Sequence, residues 1–329
     1  MKKYFKSILV IIVILIAAIA LVACQPADSN APSDSSESSQ RNPILEQKDT
    51  TTATVYYATT DNKWLVPLTL SINATREVAK VAMEKLLAGP PSTDFAAPVI
   101  PEGTKLRDIY TISSIIYVDL TKEIQNIAPE NAQIAIDAIV ATVLPLAEDG
   151  HTLQILIDGK VADKLGEINI SQPIAPKDIN YQGENQATAK ITVYFGDNNA
   201  MYLVPLTYDI DKTEKPDPVY YSQKAIEKLL EGPSSDSGLM PTLWKGTKLL
   251  SLELIGQTIN VNLDKEALDY GGGSAAEQMF VNSLIYSLTS IEGISDIQIL
   301  IEGKKIEYLP EGTDVSQPLK ATQLINSII

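Results

Sequence analysis

Residues 84–90 read EKLLAGP and residues 227–233 read EKLLEGP, 143 positions further on. GTKL at 103–106 returns at 246–249, and VDL at 118–120 returns as VNL at 261–263. LVPLT at 65–69 returns at 203–207 and QILI at 154–157 at 298–301, so the offset moves only between 138 and 144. Drift of that size is what loop insertions leave behind in a duplicated domain. Two copies of one domain, each of roughly 120 residues, make up most of the chain. Such a length supports an ordinary core without metal or disulfide.

Each copy opens on alternating apolar residues, Ala53, Val55 and Tyr57 in the first and Ile191, Val193 and Phe195 in the second. A polar turn follows, then the LVPLT segment, which predicts a hairpin with one buried face. Pro67 and Pro205 fall inside the second strand. Proline donates nothing to a ladder, so this strand is expected at an edge or a bulge. A helix over about 75–88 would place Ala79, Ala82, Met83 and Leu86 on one side; its counterpart carries Ala225, Ile226, Leu229 and Leu230. Asp217-Pro218 reads as a cap with proline at the first helical position. Both helices should stop at a left-handed glycine before proline, at Gly89-Pro90 and Gly232-Pro233. A second hairpin turns at Ser113-Ser114 in one copy and Gly256-Gln257 in the other. A second helix follows, over about 131–147 and 275–289, where Ser274 and Glu277 predict a capping box. A last strand, 153–157 or 297–301, closes each copy. The order β-β-α-β-β-α-β predicts an α+β domain with both helices packed on one face of a small sheet.

The two ends have another character. Lys2, Lys3 and Lys6 precede an uncharged run from Ser7 to Ala23, the length of a secretory core rather than of a membrane span. It ends Leu21-Val22-Ala23-Cys24, which resembles the bacterial lipobox. That resemblance implies cleavage of residues 1–23 as a signal peptide, and lipidation of Cys24 on its sulfur. Two acyl chains anchor a protein durably where one is marginal. The expected address is the cell membrane, lipid-anchored on the extracytoplasmic face. Residues 24–50 are rich in Ser, Asp and Pro and read as a disordered tether. The remaining boundaries are domain one at 51–165, a linker at 166–187, domain two at 188–310 and a tail at 311–329. The tail ends in an apolar run expected to pack back on copy two or to serve as a contact.

Chemistry is sparse. Cys24 is the one cysteine, so disulfides and thiolate sites are excluded, and His151 is the one histidine. His151 lies in the turn before the last strand, where copy two has Gly293-Ile294-Ser295 and no histidine, and reads as a solvated side chain. Asp209, Asp211 and Thr213 resemble half of a calcium loop, but Glu214 occupies the glycine position and Tyr220 the bidentate position. Gly271, Gly272 and Gly273 precede a helix without the lysine of a phosphate loop. No catalytic residue, cofactor or metal is therefore assigned. A formal charge of −15 argues against a nucleic-acid partner.

The order LVPL, a helix ending in LLxGP, GTKL, a VDL strand, a second helix and a strand ending in a glycine turn resembles the GerMN domain family. The likeness covers about residues 53–165 and 189–308. It implies a fold like the ring-building domains of the mother-cell-to-forespore channel, a link to sporulation and germination, and no catalytic residue. Asn262 stands where copy one has Asp119, so no common acidic role is read at that position. The function implied is that of a membrane-complex scaffold component. Partners would be the membrane, envelope or sporulation-complex proteins, and a second copy in a homo-oligomer. The alternative is a cell-surface lipoprotein that binds or hydrolyses envelope glycan or peptide. A carboxylate-lined cleft would favour the alternative, and exposed sheet edges would favour assembly.

Overall fold

The computed structural model describes residues 40–94, 96–184, 189–215, 217–269, 271–322 and 324–328. Residues 1–23, read from the sequence as a signal peptide, and Cys24 lie outside the described residues. Copy one contains β1 (Thr50–Thr59), β2 (Leu65–Thr75), α1 (Val78–Ala88), β3 (Leu106–Ile112), β4 (Ile115–Leu120), α2 (Ala132–Val143) and β5 (Thr152–Ile157). Copy two repeats the order as β6 (Ala189–Gly196), β7 (Leu203–Ile210), α3 (Pro218–Glu231), β8 (Leu249–Ile255), β9 (Thr258–Leu263), α4 (Gly273–Thr289) and β10 (Asp296–Ile301).

The α+β class and the element order are those read from the sequence, but the strands divide between two sheets. β1 and β2 form an antiparallel hairpin extended only by Ala96–Ala97, while β3, β4 and β5 make a second sheet. In that sheet β3 runs antiparallel to β4, and β4 runs parallel to β5 through the α2 crossover. Copy two follows the same plan, with Met240 bridging Gly196 in place of the short third strand. The hairpin cannot join the second sheet because its free edge on β1 is already used. The Tyr56 amide donates to Thr142 Oγ1 on α2 at 3.1 Å, and the Tyr194 amide to Ser287 Oγ on α4 at 3.0 Å. The helices therefore touch both sheets: α3 contacts β6 and β8, and α4 contacts β6 and β10.

Burial follows the predicted stripes. Ala79, Ala82, Met83 and Leu86 of α1 are enclosed, as are Ile136, Ile139, Val140 and Val143 of α2. Ala225, Ile226 and Leu229 of α3 and Phe280, Leu284, Ile285 and Leu288 of α4 match them, while Leu230 is half-buried. Asp217 caps α3 by accepting from the amides of Val219 and Tyr220 at 3.0 and 3.2 Å. The Gly-Pro stops differ from expectation. Gly89 and Gly232 have φ of 81° and 80°, but both have ψ of 172°. The following proline disfavours a helical ψ in either hand, so only the positive φ survives. The start of α1 is also later than expected, since β2 continues through Thr75.

The capping box is absent. α4 starts at Gly273 with no side-chain cap, and Glu277 turns inward, fully buried. Its carboxylate accepts from the amides of Glu311 and Thr313 at 2.7 and 2.8 Å, which pins the chain after β10 to its helix. Asp296 does comparable work at the start of β10. Its carboxylate accepts from the hydroxyls of Ser295 and Thr258, the latter on β9. These hydrogen bonds hold its pKa below the usual carboxylate range. A depressed folded value adds stability above the ordinary carboxylate pKa and loses it as pH falls through the folded value. Asp296→Asn is expected to cost about 1 kcal/mol at pH 7 and less at a pH just below the ordinary carboxylate pKa. Urea denaturation at both pH values checks this.

Candidate functional site

The proline strands lie at sheet edges, as their chemistry requires, and those edges face each other across the two copies. Tyr56 pairs with Pro67, and because the Tyr56 amide points to α2, the Pro67 nitrogen and carbonyl point outward. The missing N–H therefore costs no ladder bond. Leu65, Pro67 and Thr69 share this outward phase on β2, and Leu203, Pro205 and Thr207 share it on β7.

Two asparagines fill the seam. Asn180 follows copy one and Asn326 follows copy two, and both take left-handed backbone, with φ of 49°. Asparagine tolerates that region better than other non-glycine residues. The Asn180 side-chain amide donates to the carbonyls of Leu65 and Pro205 at 2.7 Å each, and its oxygen accepts from the Leu65 amide at 2.8 Å. Asn326 mirrors this with the copies exchanged. It donates to Pro67 and Leu203, at 2.8 Å each, and accepts from the Leu203 amide at 2.8 Å. Both donor hydrogens are used in each case. Chain flanking each asparagine then adds to the neighbouring edge. Ile325 accepts from the Thr69 amide at 3.2 Å and Ile328 donates to the Thr69 carbonyl at 2.9 Å; Gln182 donates to the Thr207 carbonyl at 2.8 Å. Trp64 reinforces the seam by donating its indole N–H to the Ser237 carbonyl of copy two at 2.8 Å.

The segments read as linker and tail are thus equivalent straps. The first crosses its own copy by pairing Ile174 with Leu153, the second by pairing Leu319 with Ile297. Gln154 and Gln298 brace them by donating to the carbonyls of Ile170 and Val315 at 2.8 and 2.9 Å. A further repeat signals this: Ser171-Gln172-Pro173 returns as Ser316-Gln317-Pro318, and Ile179-Asn180 as Ile325-Asn326. The tail packs on copy two through Thr322, and its end reaches copy one, where Ile328 bridges Leu70. At the other end, residues 41–46, read as tether, lie on copy one. Asn42 exchanges backbone bonds with Thr111 at 2.8 and 2.9 Å.

The remaining candidates take structural places. His151 donates from Nδ1 to the Glu148 carbonyl at 2.8 Å within its turn. Asp209 accepts from the Tyr181 hydroxyl at 2.8 Å and from the Glu184 amide at 3.1 Å, so it holds the first strap. Among the described residues no cluster of three His, Cys, Asp or Glu side chains could hold a metal. Gly272 and Gly273 lead into α4. Asp119 and Asn262 prove equivalent after all: each side-chain oxygen accepts from a turn glycine, Gly159 or Gly303, at 2.8 or 2.7 Å. The role needs an acceptor and no charge.

A cleft of about 570 Å³ lies between the β1–β2 turn, α2 and the first strap. Its carboxylates are Glu130, Asp137 and Asp178. Asp137 is paired with Lys177 at 3.0 Å and accepts from Gln133 at 2.9 Å; Asp178 is paired with Lys190. Two of the three are engaged in holding the strap.

The family model described as Germane, sporulation and spore germination, matches residues 54–163 and again 192–307. The chain belongs to the Germane family. Each match coincides with one structural copy. A Germane relative, the spore germination protein GerM of Bacillus subtilis (strain 168), is 26% identical over 305 residues, covering 86% of this chain and 80% of that one. The solved structure of the tandem GerMN domains of B. subtilis GerM matches with a TM-score of 0.63 at 23% identity, over 84% of this chain and all of that one. This likeness shows the tandem fold.

Asn326→Asp places a carboxylate oxygen against two carbonyls. It is expected to lower stability by about 1–3 kcal/mol in urea denaturation, and Asn180→Asp by a similar amount. A loss below about 0.5 kcal/mol for either, the range of a neutral surface change, would show that the seam does not depend on them.

Proposed function

We propose that this protein is a lipid-anchored, extracytoplasmic assembly component that acts in sporulation. Family membership and kinship with GerM support the sporulation-related role. One structural observation supports the assembly reading: the asparagine seam ties the two domains to each other. No helix among the described residues is long and apolar enough to cross a membrane, and in this reading Cys24 supplies the attachment. The protein works by surface complementarity. Two of its three cleft carboxylates are paired with lysines, Asp137 with Lys177 and Asp178 with Lys190, which suits a structural role better than glycan cleavage.

Cys24→Ala is expected to shift the protein out of the membrane fraction or leave an unprocessed precursor on immunoblots. Unchanged fractionation and processing would contradict the anchor. A deletion strain is expected to lose spore yield or germination efficiency. Wild-type values for both would contradict the sporulation role.

A further inference from the structure

The two copies differ at a pair of corresponding sheet edges. β3 and β8 are outer strands of their sheets, which the short strands Lys160–Val161 and Lys304–Lys305 close at the other edge. In copy one the β3 edge is covered: residues 41–46 cross it, and Asn42 takes both the N–H and the C=O of Thr111. Arg41 lies 4.4 Å from the Tyr110 ring centre and 3.6 Å from the Asp108 carboxylate. Thr111 corresponds to Leu254 by the common register, Thr111↔Ile116 matching Leu254↔Ile259. The Leu254 N–H and C=O therefore point outward too. Among the described residues no backbone or side-chain group meets them.

Two residues around the open edge have changed, and a third is apolar in both copies. Arg107, which pairs with Asp119 at 3.3 Å and Asp158 at 2.9 Å, is replaced by Leu250, 47% exposed. Ile255 at the far end is 59% exposed. Tyr110, over which Arg41 sits, is replaced by Glu253, also exposed. An open edge with apolar side chains at both ends is a template for another strand, and the carboxylate between them selects a cation.

We propose that β8 is the docking edge for an extended segment of a partner protein. The segment adds as an antiparallel fifth strand that places a basic residue against Glu253 and apolar contacts on Leu250 and Ile255. Copy one shows the geometry with the chain's own residues. Charge chooses a foreign strand over a second copy, because β8 itself carries no basic residue to place against Glu253. This deepens the assembly reading and rests on it for its biological meaning.

The test is amide hydrogen–deuterium exchange on the full chain. The probes are two acetylated heptapeptides at millimolar concentration, Thr-Val-Thr-Arg-Thr-Val-Thr and its counterpart with Glu for Arg. The arginine peptide is expected to bind about threefold more tightly and to slow exchange of residues 249–255, leaving 106–112 unchanged. Glu253→Lys should reverse the preference. No slowing by either peptide, or equal binding of both, would overturn the proposal. Protection of 249–255 that follows the protein's own concentration without peptide would also overturn it, by giving the edge to a second copy. Such failure is separable from failure of the assembly reading, which is read from fractionation and spore yield.

Discussion

A proline in a strand is tolerable only where its nitrogen faces away from the ladder, and here that constraint sets the relation between the two copies. Pro67 and Pro205 keep β2 and β7 at the edges of their hairpins, with outward carbonyls that need donors. Leaving such carbonyls buried without a donor is costly. A direct ladder between the two edges is unavailable where neither proline can donate. One asparagine amide on each side solves this, because it alone among short side chains offers two donors and an acceptor together. The straps that deliver the asparagines then become part of the fold rather than connections between parts.

Duplication followed by unequal change explains what the two halves share. Where the fold needs a group, both copies keep its chemistry even when the residue differs. Thr142 and Ser287 both receive a strand amide, and Asp119 and Asn262 both receive a turn amide. Where the fold is indifferent, the copies diverge, as at Arg107 and Leu250. The outer edge of β8 belongs to the second group. Its departure from copy one lies on the surface, where partners rather than cores set the residue.

The fold was legible because its signals are local. Alternation in the hairpins, the helical stripes ending at Leu86 and Leu229, and the Asp217-Pro218 cap each depend on residues close in sequence. The division into two sheets was not legible, since it depends on Thr142 and Ser287 reaching strands 86 and 93 positions away. Glu277 looked like a cap because spacing cannot reveal that the chain near residue 311 would fold over it. The seam had a sequence signal in the repeated Ser-Gln-Pro and Ile-Asn. The surrounding prolines and polar residues gave that stretch the composition of a linker, and the bonds of Asn326 span 123 and 259 positions.

Residual dipolar couplings from backbone amides of the two copies test the account most directly. If the asparagine seam locks the copies together, couplings from residues 53–165 and 189–308 will fit one alignment tensor with the same magnitude and orientation. Two tensors of different magnitude would mean that the copies move independently, and would contradict the claim that they form one surface.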